Sequence, residues 1–336
     1  MRARDYEILR IGALGAATIL PKAIIEPIRE IGDIVFQGIA ASTRERAESV
    51  AGSAGSRIKI FDNYEALIQS DEVDAVYIPL ANHLHEEWII RAAKSKKHIL
   101  VEKPLCIKSS QFKQIKAVVE ENAVNLTEAL MVRHHPWQQK LKEIIDANQY
   151  GKLVSIQTNI FCELKHDENN YRFYKKMGGG VFYDSASYWI QFVQSIIHEQ
   201  PLGIEGKSDF SGPNSIDDEF QAQMIFPGSM VANFHCSYNR PFEASHRIQF
   251  EEALIHIGNF FRPIFGKAKL IMDIIHKGEK ERIVFPPQNY YINQLKFFAS
   301  VIRGEIKNIP LSEYEVRVNL MESIYTTASK CKQTAF

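Results

Sequence analysis

The chain has 336 residues, enough for two domains of ordinary size, each with its own apolar core. Apolar residues make up 45% of it and charged residues 24%, a balance that is typical of globular proteins and excludes a disordered chain. Lysine plus arginine equals aspartate plus glutamate, at 40 each, so no net charge draws the chain to nucleic acid or to an anionic membrane.

The cysteines and the N-terminus indicate the compartment. Four cysteines lie far apart and fall in no paired spacing: Cys106, Cys162, Cys236 and Cys331. They predict neither a zinc site nor a disulfide framework, and they suit a reducing compartment. The first residues are charged, and no apolar run is long enough for a signal peptide or a membrane span. We therefore expect a cytoplasmic protein without a bound metal, since no group of His, Asp and Glu has metal-ligand spacing.

The first third of the chain alternates short apolar runs with amphipathic stretches. Strands are predicted at residues 7–14, 34–42, 73–80 and 97–103, and helices at residues 24–31, 44–55 and 85–97. Strands that alternate with helices indicate βαβ units and a parallel sheet. The nearly continuous apolar character of these strands predicts a sheet that is covered on both faces.

The pattern changes after about residue 126. Longer strand-like runs, several with alternating apolar and polar residues, lie at residues 151–164, 219–227, 229–238, 245–258 and 269–285. Helices are predicted at residues 137–148, 182–197, 291–302 and 314–329. These runs indicate an α+β domain with a large, mostly antiparallel open sheet. Such a sheet is polar on one face or paired with another subunit. Because the open face would leave a large apolar surface if solvated, we expect a homodimer or homotetramer through it.

Small residues follow the first strand, where a dinucleotide-binding fold turns sharply and brings the pyrophosphate to a helix N-terminus. The usual spacing is G-x-G-x-x-G, and the chain has Gly15-x-Ala17-x-x-Leu20, which keeps only the first glycine. The alternative is an ordinary strand-to-helix turn. The candidate cofactor contacts in this turn are Gly12, Gly15, Ala16, Ala17, Thr18 and Ile19.

The end of the second strand indicates which dinucleotide binds. An NAD site usually offers Asp or Glu to the ribose 2′-hydroxyl, whereas a 2′-phosphate is met by hydroxyls and a cation. Here the strand runs into Ser42, Thr43 and Arg44, with Arg46 close behind and no acid at the strand end. These groups favour a charge-assisted pairing with a 2′-phosphate, so we predict NADP over NAD. If Arg44 is only an exposed residue at the helix start, this preference is weaker.

Three further segments carry a family resemblance. They are the block at residues 79–85, the tripeptide Glu102-Lys103-Pro104 at a strand end, and a triple glycine that leads into a helix with Asp184 and Tyr188. Together with the glycine turn they resemble the family of glucose-fructose oxidoreductase and inositol dehydrogenase, from residue 10 to about residue 329. The resemblance implies a Rossmann dinucleotide-binding domain over residues 1–126 and an α+β substrate-binding and oligomerisation domain over residues 127–336. Further cofactor contacts are implied for Pro79, Leu80, Asn82, His85, Glu102 and Lys103.

Lys103 is the first candidate catalytic residue. Hydride transfer between a nicotinamide and an alcohol or ketone requires a proton to move on or off the substrate oxygen. Lys103 lies where a parallel strand ends, the usual location of the active crevice in an open α/β sheet. A partly desolvated lysine can serve as acid or base or polarise a carbonyl, and the resemblance implies the same role. Pro104 fixes the chain direction and allows a cis bond; the alternative is a solvent-exposed strand end.

Tyr188 and Asp184 are the other two candidate catalytic residues. Four residues apart, they share one helix face and can act on one substrate. The family most often has histidine at the position of Tyr188, while tyrosine occurs in glucose-fructose oxidoreductase, dimeric dihydrodiol dehydrogenases and ketoreductases of nucleotide-linked deoxysugars. We predict Tyr188 as proton donor or acceptor, Lys103 as its electrostatic partner and Asp184 as the anchor of a substrate hydroxyl. Tyr188 could instead be a core aromatic.

Three more polar residues are candidate substrate contacts: Arg133, His135 and Arg172. A structural role is an equal alternative for each of them. The leading hypothesis of function is an NADP-dependent oxidoreductase acting on a sugar, and within it a ketoreductase of a keto-sugar that carries a nucleotide diphosphate. The second is a dehydrogenase of an aldose or a trans-dihydrodiol with the same site. A hypothesis of another class is a non-catalytic regulatory protein that binds NADP.

Overall fold

The computed structural model describes residues 7–53, 58–262 and 265–333, and the chain divides into two compact units. The first unit comprises Met1–Met131 and Asn289–Val318, and the second comprises Val132–Gln288 and Asn319–Phe336. The predicted division at residue 126 differs from this chiefly because the stretch at 289–318 returns to the first unit. The charged N-terminal residues behind the signal-peptide prediction, and the predicted helix end at residue 55, lie outside the described residues.

The first unit is built on a six-stranded sheet in which all neighbours are parallel. Its strands are β1 (Leu9–Leu14), β2 (Ile34–Ala40), β3 (Lys59–Ile60), β4 (Ala75–Ile78), β5 (His98–Glu102) and β6 (Leu126–Ala129). The order is β3-β2-β1-β4-β5-β6, so the direction of winding reverses between β1 and β4. In such sheets ligands bind outside the carboxyl ends of the strands at this point. The predicted parallel sheet is confirmed, with β3 and β6 as strands that the sequence analysis does not predict.

Helices cover this sheet. They are α1 (Glu26–Ile28), which follows a π-helical turn at Pro21–Ile25, then α2 (Arg44–Ser53), α3 (Tyr64–Gln69), α4 (His85–Lys94) and α5 (Ser109–Asn122). The last part of the unit is α8 (Tyr290–Arg303) and the start of α9 (Leu311–Gln333). Tyr314 and Val318 of α9 are buried in the same apolar cluster as Ile115 and Val119 of α5. The C-terminal helices therefore complete the core of the first unit.

The second unit is built on an eight-stranded sheet. Its strands are β7 (Leu153–Glu163), β8 (Gly203–Lys207), β9 (Glu219–Ile225), β10 (Val231–Ser237), β11 (Asn239–Phe250), β12 (Ala253–Ile257), β13 (Leu270–His276) and β14 (Glu279–Phe285). The order is β14-β13-β12-β11-β7-β10-β9-β8, and all neighbours are antiparallel except β7 and β10. The mostly antiparallel sheet is confirmed. Two of the predicted runs are hairpins, and β8 is a further strand that the sequence pattern does not show.

One face of this sheet packs against α6 (Pro136–Asp146) and α7 (Val181–Ile196). Trp189 of α7 stacks on Phe234 of β10 with ring centroids 4.9 Å apart. His246 of β11 is buried on the same face between aromatic rings and bonds to the Thr158 hydroxyl at 2.9 Å. Burial lowers the pKa of His246 to about 3, so its ring is a neutral part of the core.

The other face of the sheet is polar. One residue of each strand forms a row in register across all eight strands, and every one is polar: Arg282, Asp273, His256, Arg247, Gln157, Asn233, Gln223 and Glu205. Exposed apolar side chains on this sheet, such as Ile225 and Val284, lie away from its centre. Of the two alternatives, the sheet that is polar on one face agrees with the structure, and the expected large apolar surface is wrong, because the alternation in β7, β9 and β10 places Gln and Asn outward. No helix in the described ranges is both long and apolar enough to cross a membrane.

Candidate active site

The turn after β1 has the geometry of a dinucleotide-binding turn around one glycine. Gly15 adopts a φ of +114°, and its N–H donates to the Ala40 carbonyl at 2.8 Å. This φ is strained for residues with a side chain, so glycine is favoured, and a Cβ here would lie 2.9 Å from the end of the Leu80 side chain. Ala16, Ala17, Thr18 and Ile19 follow on the partly open side of the turn. Gly12 instead lies within β1, where a Cβ would approach Leu67 of α3 at 2.8 Å, so its role is packing.

Arg46, rather than Arg44, reaches the space beside this turn. Its guanidinium donates to the Ser42 hydroxyl at 3.3 Å and to the Ala16 carbonyl at 3.4 Å. Arg44 forms an exposed pair with Glu48, one turn along α2, at 2.9 Å. Thr43 accepts from the Arg46 N–H and begins the helix. The structure therefore groups Ser42 and Arg46 next to the cofactor turn and directs Arg44 along the helix surface.

The segment after β5 presents Lys103 at the carboxyl edge of the first sheet. Lys103 is half-buried, and the bond between Lys103 and Pro104 is cis, as its sequence allows. Glu102 accepts a hydrogen bond from the Tyr77 hydroxyl at 2.6 Å, which links the ends of β4 and β5. These contacts fix the backbone on which Lys103 stands. Tyr77 has no counterpart among the predicted site residues.

His85 lies beneath this segment and not at its surface. The ring is fully buried, with Nδ1 2.8 Å from the Pro104 carbonyl oxygen and Nε2 3.0 Å from the Leu80 carbonyl oxygen. Burial lowers the pKa of His85, so the neutral ring donates one N–H. Asn82 and Pro79 are also buried, whereas Leu80 is partly open. The sequence prediction of a direct cofactor contact from His85 thus gives way to a contact with the backbone on which the cofactor loops stand.

In the second unit, Gly180 and Asp217 shape the start of α7. Gly180 has a φ of +112°, and a Cβ there would lie 2.0 Å from Asp217 Oδ1. Asp217 is fully buried, and its carboxylate accepts from the Phe182 N–H at 2.7 Å and from the Tyr325 hydroxyl at 3.2 Å. A carboxylate at a helix N-terminus satisfies an N–H that the helix leaves unpaired. The sequence gives no signal for this contact, because the two residues are 35 positions apart.

Asp184, on the first turn of α7, is held by two partners. Arg172 Nε donates to Asp184 Oδ2 at 2.9 Å, and the Tyr238 hydroxyl donates to the same oxygen at 3.1 Å. The Asp184 charge raises the pKa of Arg172 further, and burial raises the pKa of Tyr238, so both remain protonated donors. The structure therefore brings together Asp184 and Arg172 as predicted candidates and adds Tyr238, which directly follows β10.

Tyr188 lies one turn further along α7. It is 9% exposed, and its ring meets Phe261 edge to face with centroids 4.9 Å apart. Arg133 is partly exposed, but His135 is buried and its Nδ1 accepts the Trp137 N–H at 3.2 Å as the cap of α6. Burial also lowers the pKa of His135 to about 4. For His135 the structure favours the structural alternative over substrate contact.

The buried Asp217 predicts a pH dependence of stability. Burial raises its pKa to about 7, and the titratable groups around it include Tyr183, Tyr325, Asp218, Cys236 and Tyr238. The pKa of an unfolded aspartate is about 4, so the folded state binds this proton more tightly. The stability that the folded state gains from this proton is fully present below about pH 4 and is lost as the pH rises through about 7. We expect Asp217→Asn to flatten the fall in Tm between about pH 5 and pH 8 in calorimetry.

Asp218→Asn, which alters the half-exposed neighbouring carboxylate, is the matched control and should keep the fall. An unchanged slope in Asp217→Asn would show that the Asp217 carboxyl does not titrate in this range.

A parallel sheet with a reversal point, a tight glycine turn and a cationic group at the end of β2 define a dinucleotide-binding oxidoreductase. Comparison with known families agrees. The model of an oxidoreductase family with an NAD-binding Rossmann fold matches residues 9–130, and that of the GFO/IDH/MocA C-terminal domain matches residues 138–255. The chain therefore belongs to the GFO/IDH/MocA family of oxidoreductases, which confirms the family predicted from the motifs.

Individual relatives are enzymes of sugar metabolism. The chain is 25% identical to a D-xylose 1-dehydrogenase (NADP⁺) of Haloferax volcanii, over 95% of this chain and 97% of the relative. It is 32% identical to a dTDP-3,4-didehydro-2,6-dideoxy-α-D-glucose 3-reductase of Actinomadura kijaniata, over 54% of each. A crystal structure of a 3-ketoreductase from the same organism, in complex with NADP and TDP-benzene, has a TM-score of 0.87 at 22% identity and covers 95% of this chain and 98% of the other.

Proposed function

We propose that the protein is an NADP-dependent reductase of a keto-sugar, with a sugar linked to a nucleotide diphosphate as the first substrate class to test. The observation that carries the proposal is the arrangement on α7, where a phenol at Tyr188 follows one turn after Asp184 on a helix that is fixed at its start by Asp217. The 32% identity to a reductase of a dTDP-keto-sugar supports the substrate class.

The residues divide the chemistry as follows. When bound, the dihydronicotinamide supplies the hydride for the carbonyl carbon. Tyr188 donates the proton to the substrate oxygen, and the ammonium group of Lys103 favours the phenolate that remains. Asp184, held by Arg172 and Tyr238 at one oxygen, accepts a hydrogen bond from a substrate hydroxyl and orients the sugar. Arg133, which is partly exposed, and Arg172, which pairs with Asp184, are proposed substrate contacts.

The cofactor proposal follows from the first unit. A 2′-phosphate carries up to two negative charges, and Ser42 with Arg46 offers it a hydroxyl and a guanidinium beside the Gly15 turn. No acidic side chain follows β2 directly, where an NAD site would present one. The remaining proposed contacts are those of the turn, of Leu80 and of Glu102.

A second candidate is the reverse reaction, in which an aldose is oxidised. The similarity to a D-xylose 1-dehydrogenase along nearly the whole chain favours it. The regulatory alternative is disfavoured because Lys103, Asp184 and Tyr188 are all present.

The deciding experiment is a turnover panel. Purified protein is mixed with NADPH or NADH and with keto-sugars, nucleotide-linked keto-sugars and, with NADP⁺ or NAD⁺, aldoses and trans-dihydrodiols, and the nicotinamide absorbance is followed. Oxidation of NADPH by a keto-sugar supports the proposal. Reduction of NADP⁺ by an aldose alone supports the second candidate, and NADPH binding without turnover across the panel contradicts both.

Arg46 is expected to set the cofactor preference. Arg46→Ala removes the guanidinium beside Ser42, and a lost hydrogen bond to a charged group costs about 1.5–3 kcal/mol, roughly a 10- to 150-fold loss of kcat/KM with NADPH. The value with NADH should change little, because the 2′-hydroxyl carries no charge. Arg44→Ala is the matched control, and we expect a smaller effect from it because Arg44 pairs with Glu48. The reverse ranking of the two variants would assign the 2′-phosphate to Arg44.

The interface of the proposed homodimer or homotetramer would be polar and not apolar. A self-association through the open sheet face would join polar rows such as Gln157, Asn233 and Gln223, so its interface would be polar and wet. Light scattering at micromolar concentration tests it, and a monomer contradicts it. We also propose a cytoplasmic location, because Cys106, Cys162 and Cys236 form no disulfide in the described part of the chain, which suits a reducing compartment.

A further inference from the structure

The peptide group between Pro104 and Leu105, directly after Lys103, is held at both of its polar atoms. The Pro104 carbonyl oxygen lies 2.8 Å from His85 Nδ1. The Leu105 N–H donates to Glu128 Oε1 at 2.9 Å. His85, Glu128 and Leu105 are all buried, so water does not compete for these contacts.

Glu128 is itself fixed. Its Oε2 accepts from Arg317 Nε at 3.0 Å, and both side chains of this ion pair are only 2% exposed. The Glu128 N–H donates to the Tyr314 hydroxyl at 3.4 Å. A carboxylate held at one oxygen by a buried guanidinium has little freedom to turn, so the acceptor for Leu105 stays in one place.

The second ring nitrogen of His85 faces the loop that follows β4. Its Nε2 lies 3.0 Å from the Leu80 carbonyl oxygen, and the Leu80 side chain fills the space over Gly15. The neutral ring has a single N–H, so it can donate to only one of the two carbonyl oxygens, that of Leu80 or that of Pro104. The shorter contact, at Nδ1, is the one to Pro104.

We propose that His85 and Glu128 are positioning residues, which hold Lys103 in its reactive place through the Pro104–Leu105 peptide. The inference rests on the proposed function, in which Lys103 acts on the proton transfer. A displacement of about 1 Å at a reacting group can cost about 100-fold in rate. Lys103 directly precedes the Pro104–Leu105 peptide. If this peptide loses its hydrogen bond to His85 or to Glu128, the Lys103 ammonium group is displaced but still present.

Two variants of His85 separate the contacts. With the single proton placed on Nδ1, the atom of the shorter contact, the amide nitrogen of His85→Asn takes the place of Nδ1 and keeps the bond to Pro104, whereas that of His85→Gln takes the place of Nε2 and loses it. We expect kcat with the substrate from the panel to fall about tenfold or more further in His85→Gln than in His85→Asn, at a similar Tm. His98→Gln is the control, because His98 lies at the opposite end of β5, where its Nδ1 accepts the Asn125 N–H. Equal kcat values in the two His85 variants overturn the proposal.

Hydrogen exchange followed by mass spectrometry gives a readout that does not need a substrate. The proposal requires faster exchange at residues 99–107 in His85→Gln than in His85→Asn, both with NADPH present. Equal exchange overturns it, while absence of turnover in the parent protein overturns only the proposed function. Should the His85 variants not fold, Glu128→Met/Arg317→Met tests the hydrogen bond from the Leu105 N–H to Glu128. We expect it to lower kcat about tenfold or more, and an unchanged kcat rejects the role of Glu128.

Discussion

Tyr188→Phe is expected to lower kcat by about 10²- to 10⁴-fold, the usual contribution of a positioned proton donor. The variant keeps the ring that meets Phe261 edge to face and removes only the hydroxyl, so α7 and its packing stay intact. Lys103→Ala is expected to have an effect of the same order, because it removes the cation that favours the phenolate. Single-turnover rates with NADPH and the substrate from the panel, together with NADPH affinity by fluorescence, measure both.

The control for the phenol is Tyr183→Phe. Tyr183 lies on the same helix and is buried, but it packs against the Tyr325 ring and has no assigned part in the chemistry. NADPH affinity should remain within a few-fold of the parent in all three variants. A kcat for Tyr188→Phe close to that of Tyr183→Phe would return Tyr188 to the core-aromatic interpretation.

Arg317→Met is expected to destabilise the protein by about 3–5 kcal/mol, because it leaves the Glu128 carboxylate buried without its cation. Glu128 and Arg317 are each 2% exposed on their side chains, so solvent cannot replace the lost partner. For a unit of this size each kcal/mol corresponds to roughly 2–4 °C in Tm. Calorimetry therefore should show a large fall in the melting temperature of the first unit.

The double variant Glu128→Met/Arg317→Met should recover most of this loss, since it removes both charges together, although the Leu105 N–H then lacks its acceptor. Arg91→Met provides the contrast. Arg91 pairs with Glu87 at 2.9 Å, but both side chains are about half exposed, so a cost of no more than about 1 kcal/mol is expected. If Arg317→Met costs as little as Arg91→Met, the buried pair is not a source of stability.

The sequence predicts the two sheets of the fold better than it predicts which segments pack against each sheet. Apolar strands alternating with helices were sufficient for the parallel sheet, and period-two alternation was sufficient for the antiparallel one. Periodicity shows that the segment at 289–318 is helical, but not which sheet its apolar side meets. Tyr314 and Val318 join the core of the first unit, although about 200 residues separate them from Ile115 and Val119. Such a contact between distant segments leaves no local pattern.

The candidate site shows the same limit at the scale of side chains. The motifs locate Lys103, Asp184 and Tyr188, because each follows a strand end or a glycine turn. They do not distinguish a polar residue that faces a ligand from one that holds the backbone. His85 and His135 are of the second kind, since burial and a backbone partner occupy their ring nitrogens. Tyr238 and Asp217, which hold Asp184 and the start of α7, come from distant strands and turns.

The first unit is formed by two separate stretches of the chain, and this affects its folding during synthesis. When Met131 has been synthesised, all six strands of its sheet exist, but α8 and the first turns of α9 do not. At about 5–20 residues per second, the stretch to Val318 takes the ribosome roughly 10–40 s. During that interval Ile115 and Val119 lack the side chains that later cover them, and Glu128 lacks Arg317. The nascent dinucleotide-binding sheet therefore exposes apolar side chains until the C-terminal helices emerge, and such surface is prone to aggregation.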